Sequence, residues 1–287
     1  MPAPYRDLRY LRLPVDDLDG ALAYGEDVLG LKLEERCDDA LYFRSDARNH
    51  ALCFTSVDKQ ASIAVSVGER ADLDAAFDRL AKAGFQPNWL SDEAAIARQI
   101  KLGITVTAPN GVMVDIVWRP LTSGWPFHGA RATGIVELQA VQLACQDIDA
   151  NETFWTTGMG GTVSDWAGRA AFINIDGAHH RIAIYPSDQD GVLGVTFGVG
   201  DIDHVMRNWY FMQDRQLPVV HGPGQQPTSG AKFVSTRGIG DILYTYATPM
   251  DAPAPLGPRQ FPDEALSHCA WGSPSMLAEF KGGMSND

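Results

Sequence analysis

The chain has 287 residues, 45% hydrophobic and 21% charged, with a net charge of −13. That length suits two domains of an ordinary globular protein, and an acidic chain lacks the basic face that phosphate backbones require, so no nucleic-acid partner is expected. Met1 to Asp7 lacks the apolar core of a signal peptide, and no apolar run approaches the roughly 20 residues that span a bilayer, so no membrane partner is expected either. The four cysteines, Cys37, Cys53, Cys145 and Cys269, form no Cys-x-x-Cys pair and read as reduced thiols in a cytoplasm.

In chain order, Arg9 to Val15 predicts a strand, and Asp19 to Val28 a helix that stops at Leu29-Gly30. Ala40 to Arg44 and His50 to Thr55 read as strands around a turn at Asp46 to Asn49, and Ser62 to Val67 as a third. Asp72 to Ala83 has apolar residues at helical spacing (Leu73, Ala76, Phe77, Leu80) and ends at Gly84. Ile104 to Ala108 and Val112 to Trp118 flank Pro109-Asn110-Gly111 as a closing hairpin.

The same series returns about 130 residues later. Asp17-Leu18-Asp19 becomes Asp147-Ile148-Asp149, Leu41 to Asp46 becomes Ala171 to Asp176, and Asn49 to Phe54 becomes His179 to Ile184. The strand Ile63 to Val67 becomes Val195 to Val199, and the helix Asp72 to Ala83 becomes Asp203 to Gln213. Self-similarity across every element marks a duplicated unit. The expected organisation is a module over 1–120, a linker over 121–133, a second module over 134–250 and a tail over 251–287. The stretches Arg259 to Pro262 and Cys269 to Gly272 of that tail are expected to fold back on the body, with Lys281 to Asp287 frayed.

This pattern resembles the vicinal oxygen chelate superfamily and, within it, two-domain type I extradiol ring-cleaving dioxygenases. The carriers are Val15 to Asp19 before a helix ending in Val28-Leu29-Gly30-Leu31, His179-His180-Arg181-Ile182-Ala183, Gly222-Pro223-Gly224, Arg259-Gln260-Phe261-Pro262 and Cys269-Ala270-Trp271-Gly272. The resemblance implies an α+β fold: two tandem modules, each a pair of βαβββ units curling a mixed sheet around a cavity, with the chemistry in the second. It also implies homo-oligomerisation.

The resemblance further implies Fe(II) or Mn(II) held by two histidines and a glutamate, a facial triad with open positions. Those positions fall at Ala140, Gly194 and Tyr244 (or Leu243), none of which can hold the ion. No metal and no other cofactor is therefore expected. Strand alternation predicts that the former metal face shows Ala140, Gln142 and Ala144, then Gly194, Thr196 and Gly198, then Tyr244 and Tyr246. Val141, Leu143, Val195, Phe197, Val199 and Leu243 fall on the opposite, core side. The equivalent first-module positions are Tyr10, Ser62 and Asp115, and Asp115 reads as a hydrogen-bonded structural acid.

His180 maps to the family's proton-shuttling histidine and needs no metal to act as general acid or base. Tyr244 and Tyr246 are the expected electrophilic donors. His179, Gln142, Thr196, Phe172, His221, Gln226 and Lys232 are the expected substrate contacts, with Gln225, Ser229 and Arg237 near the mouth. Gly158 to Gly161 follows a helix and so is no nucleotide loop, and no nucleophile elbow is present. The leading expectation is a metal-independent enzyme acting on an aromatic or phenolic small molecule by proton transfer, as a lyase, hydrolase, decarboxylase or isomerase. A catechol dioxygenase with displaced ligands and a non-catalytic aromatic-binding or resistance protein remain open.

Overall fold

The computed structural model describes residues 5–254, 256–273 and 275–283; the readings of Met1 to Pro4 and of fraying at Met284 to Asp287 lie outside them. The first module runs β1 (Tyr5–Pro14), α1 (Leu18–Ala23), β2 (Lys32–Arg36), β3 (Ala40–Arg44), β4 (Leu52–Thr55), β5 (Ser62–Val67) and α2 (Arg70–Lys82). It continues through β6 (Asn88–Trp89), α3 (Asp92–Ala97), β7 (Ile100–Thr107) and β8 (Met113–Pro120). The second runs β9 (Ile135–Cys145), α4 (Ile148–Thr153), β10 (Thr162–Ala167), β11 (Ala170–Asn174), β12 (Ile182–Pro186) and β13 (Gly191–Val199). It closes with α5 (Ile202–Asp214), β14 (Val219–Gln225), β15 (Lys232–Arg237) and β16 (Leu243–Ala247), and the tail adds β17 (Arg259–Phe261).

The strand order is β2-β3-β4-β1-β5-β8-β7-β6 in the first sheet and β14-β15-β16-β13-β9-β12-β11-β10-β17 in the second. Each sheet is thus two βαβββ units joined back to back. Within a unit the first strand lies parallel to the last, which requires a crossover; α1, α2, α4 and α5 supply it. Asp17 and Asp147 start α1 and α4 alike, each carboxylate accepting a backbone N–H three residues on at 2.9 Å. Both helices then widen into a π-helical turn, Tyr24–Val28 and Phe154–Gly158, so the 130-residue repeat extends to a local irregularity. Sequence reasoning misses β2, β6 and α3. β2 is a charged, partly exposed edge strand, β6 has two residues, and α3 is a single short helix capped by Ser91.

One apolar cluster runs through both modules and includes Leu8, Leu11, Val65, Leu138, Val141, Val195 and Phe197. Polar ties cross the seam: Tyr5 Oη donates to Met159 O at 2.8 Å, and Arg79 Nε to Gly158 O at 2.9 Å. From the connecting segment, Arg131 donates to Val28 O at 2.7 Å and to Asn208 Oδ1 at 2.8 Å. The tail crosses the second module. β17 pairs in parallel with β10, Gly272 bridges to Gly224, and Trp271 Nε1 donates to Gln225 at 2.7 Å. Among the described residues no helix is long and apolar enough to cross a membrane.

Candidate active site

The second sheet curls around a narrow, partly open hollow. Its walls are Gln142 on β9, Tyr185 on β12, Thr196 on β13, His221 on β14, Ser235 on β15 and Thr245 on β16, with His180 just ahead of β12. Gln139 and Gln226 complete the polar lining, and Met250, His268 and Phe280 reach in from beyond β16. Among the described residues no Asp, Glu, Lys or Arg lines it.

The strand faces follow from pairing. Val195 and Phe197 lie in the core, so Thr196 turns to the cavity. Val195 pairs with Tyr244, Thr196 with Thr245 and Phe197 with Tyr246. Neighbouring partners share a face, so Thr245 joins the cavity while Tyr244 and Tyr246 join the core, which corrects the expectation that the two tyrosines face the substrate. Tyr244 Oη donates to Ile239 O at 2.9 Å, and its ring packs edge-on against Tyr24. Tyr246 Oη donates to Leu29 O at 3.0 Å and also meets Val28 O and Arg131. Leu243, expected in the core, lies instead with Phe172, Tyr185 and Phe280. Every residue of β16 is buried, so hydrophobic alternation cannot say which face is which. The preceding turn, with Gly240 and Asp241 at φ 76° and 57°, sets the phase.

The metal positions can now be tested for fit. Facing the hollow, β9, β13 and β16 offer the Gln139 and Gln142 amides and the Thr196 and Thr245 hydroxyls. These are neutral oxygens without the imidazoles or carboxylate that hold divalent iron. Gln142 lies close against Gly194, where a Cβ would stand 2.7 Å from Gln142 Oε1. Nor is a displaced triad present, since no group of three His, Cys, Asp or Glu among the described residues is placed to hold an ion.

The histidine pair is the chemical centre. His180 is 3% exposed, lines the hollow and packs edge-on against Phe172 at 5.0 Å. Its Nδ1 lies 3.0 Å from His179 Nδ1, and His179 Nε2 lies 2.8 Å from Asp165 Oδ2. His179 and Phe172 are thus placed behind His180 rather than on the cavity wall. Arg259 clamps Asp165 through its backbone N–H (2.8 Å), Nε (3.0 Å) and Nη2 (2.6 Å). Burial lowers the His180 pKa well below the usual imidazole value, with His179 and Arg181 adding to the effect. Burial also lowers that of His179, against the pull of Asp165. Burial alone would raise the Asp165 pKa, but the hydrogen bonds from Arg259 and His179 bring it below the ordinary carboxylate value. Sequence reasoning misses Asp165 and Arg259: they are 94 residues apart and meet only when β17 joins β10.

Gln142, Thr196, His221 and Gln226 line the hollow as expected. Lys232 does not: it is absent from the lining, and its backbone N–H donates to Thr248 Oγ1. Of the mouth residues, Arg237 pairs with Asp241, Gln225 receives Trp271, and Ser229 donates to Gln226. Burial pushes His221 and His268 down to about 4, so both are neutral imidazoles at pH 7. Gln139 Oε1, Gln142 Oε1 and His268 Nδ1 are buried without a hydrogen-bond partner. In a polar hollow such atoms mark places for water or a polar ligand.

The corresponding face of the first module is tied by side-chain bonds. Asp115 accepts from Tyr10 Oη and Arg98 Nε at 2.8 Å each, while Ser62 lies buried nearby on the same sheet. His50, 130 residues before His180, stacks on Tyr10. α3 and the residues after it cover this side, with Arg12 and Tyr42 both donating to Ala97 O at 2.8 Å.

Residues 8–116 match the family model described as the Glyoxalase/Bleomycin resistance protein/Dioxygenase superfamily. A 1,2-dihydroxynaphthalene dioxygenase from Sphingobium xenophagum is 28% identical over 160 residues, 52% of this chain. The match spans about half (53%) of that protein's length. Among solved structures, a halotolerant catechol dioxygenase superposes with a TM-score of 0.85 at 20% identity, covering 98% of both chains. A Mn(II)-bound glyoxalase from Novosphingobium aromaticivorans gives 0.84 at 19% identity, over 99% of this chain and 96% of the other. Homoprotocatechuate 2,3-dioxygenase from Brevibacterium fuscum, in complex with 3,4-dihydroxyphenylacetate, gives 0.85 at 19% identity, over 97% and 92%. The first module thus matches the glyoxalase/bleomycin resistance/dioxygenase superfamily model, and the whole chain has the tandem two-domain fold of these solved structures, with no metal-binding triad among its described residues.

Proposed function

We propose that this protein is an enzyme that binds a phenolic or other aromatic small molecule in the second-module hollow and moves a proton on it through His180. The observation that carries this reading is a neutral imidazole on the wall of a polar hollow, backed by a second imidazole and a buried carboxylate. A neutral imidazole keeps one ring nitrogen free to accept a hydrogen bond or a proton from a ligand. Donors in the hollow include the Thr196, Ser235 and Thr245 hydroxyls and the Tyr185 phenol. Burial raises the pKa of Tyr185, so it stays protonated and can donate to a developing oxyanion. Tyr185 thereby takes the role first expected of Tyr244 or Tyr246.

The reading needs no divalent ion, because the three strands that carry the ion in the related fold offer only amides and hydroxyls here. Proton-transfer reactions fit such a site: elimination, isomerisation, decarboxylation or hydrolysis of an activated phenol. The test is a panel of substituted phenols and naphthols given to wild type and His180→Ala. General acid–base catalysis predicts a loss of about 10²–10⁴ in turnover with affinity changed only a few-fold. Tight binding with no turnover by wild type would make the protein a sequestering one.

A further inference from the structure

The four groups behind the hollow form a directed hydrogen-bond chain, and its direction can be worked out from its fixed end. Arg259 has donors alone, and it holds Asp165 as the ionised carboxylate: Oδ1 takes the Arg259 backbone N–H and Nε, and Oδ2 takes Nη2 with one acceptor site left over. The carboxylate can therefore only accept from His179, so His179 Nε2 carries the hydrogen. A neutral imidazole protonated at Nε2 has a bare Nδ1. That atom faces His180 Nδ1 at 3.0 Å, and two bare nitrogens would repel at this distance, so His180 Nδ1 carries the next hydrogen. His180 Nε2 is then bare on the side of the ring open to the hollow.

We propose that Asp165, clamped by Arg259 of the tail strand, is the positioning residue of this site: it fixes the His179 tautomer and, through it, leaves His180 Nε2 unprotonated toward the ligand. The chain also gives the ligand's polarity. A bare nitrogen, together with the unpaired Gln142 and Gln139 oxygens, calls for a molecule that donates hydrogen bonds. In the transfer step the ligand O–H bond breaks, its electron pair stays on oxygen, and the proton goes to His180 Nε2. The imidazolium so formed keeps its Nδ1–H on His179, whose partner is the anionic Asp165. The clamp comes from β17, so the tail is part of the site.

The catalytic consequence rests on the proposed function, whereas the tautomers do not, and they are measured without substrate. In protein labelled with ¹⁵N-histidine, two-bond ¹H–¹⁵N correlation at pH 7.5 distinguishes bare from protonated ring nitrogens. The expected wild-type result is His179 protonated at Nε2 and His180 at Nδ1. In Asp165→Asn the amide oxygen stays where two Arg259 donors converge, which turns the NH₂ toward His179. Both tautomers should then reverse, leaving His180 Nε2 protonated. The affinity for a phenol should fall about tenfold, while that for its O-methyl ether should not. Wild-type His180 protonated at Nε2 would overturn the proposal even if the variant failed to fold. So would a folded Asp165→Asn with unchanged tautomers. Expected tautomers with no turnover on any phenol would overturn the enzyme reading and leave this one standing.

Discussion

Replacing Tyr246 by phenylalanine removes one oxygen atom from the seam between the modules. That oxygen donates to Leu29 O at 3.0 Å, approaches Val28 O at 3.3 Å and accepts from Arg131 Nη2 at 3.2 Å. A buried hydrogen bond contributes about 1 kcal/mol net, and leaving its buried partner unsatisfied costs about 1–3 kcal/mol. Val28 O keeps its bond from Arg131 at 2.7 Å, so Leu29 O is the group most exposed to the loss. The expected destabilisation is about 2 kcal/mol, or a fall in Tm of about 4–8 °C for a cooperative unit of 150–250 residues. Tyr246 faces the core and not the hollow, so phenol binding and turnover at 25 °C should stay within about twofold of wild type. Thermal melts followed by circular dichroism, with titration of a phenol into the same preparation, read both quantities. A Tyr246→Phe protein with unchanged Tm and a hundredfold loss of binding or turnover would refute the assignment of β16's faces.

The hollow should prefer uncharged ligands. Among the described residues it presents no Asp, Glu, Lys or Arg, and an uncompensated buried carboxylate costs several kcal/mol, so calorimetry should find a carboxylated phenol about a hundredfold weaker than its neutral parent; the reverse order would contradict the lining. The Phe280 ring packs at 5.0 Å from Tyr185 and 4.7 Å from His221. Phe280→Ala should therefore widen the mouth and raise the ligand dissociation rate about tenfold, which stopped-flow measurement would detect and an unchanged rate would deny. Stability should fall on acidification below pH 6.5. His221 and His268 have folded values near 4 against 6.5 in the unfolded chain, so between those limits the unfolded state binds more protons. The stabilisation is complete above 6.5 and is lost as pH falls toward 4, on the order of 3 kcal/mol for each. Urea midpoints at pH 7.5 and 4.5 check this, and an equal or higher midpoint at the lower pH would contradict it.

The duplicated architecture was legible because each unit repeats its punctuation. Asp17 and Asp147 cap in the same way, and the repeat reaches the π turns at Tyr24 and Phe154. Thr196 was placed correctly because its neighbours Val195 and Phe197 are unambiguous core residues. β16 was misread because Leu-Tyr-Thr-Tyr-Ala is buried on both faces and its phase depends on a turn with two left-handed residues. β9 adds a further irregularity, with Leu138 and Val141 both in the core across a register shift. His268 and Phe280 were illegible for another reason: they sit at single 3₁₀ turns of the tail, too short to show a period. The Asp165–Arg259 clamp is a long-range pairing that no local pattern encodes.

The most direct measurement is a crystal structure with an uncharged phenol or naphthol bound. The account predicts the ring in the second-module hollow, its hydroxyl within hydrogen-bond distance of His180 Nε2, and no ion between ligand and protein. A ligand oxygen bound to a protein-held metal ion, or a ligand seated away from His180, would contradict it.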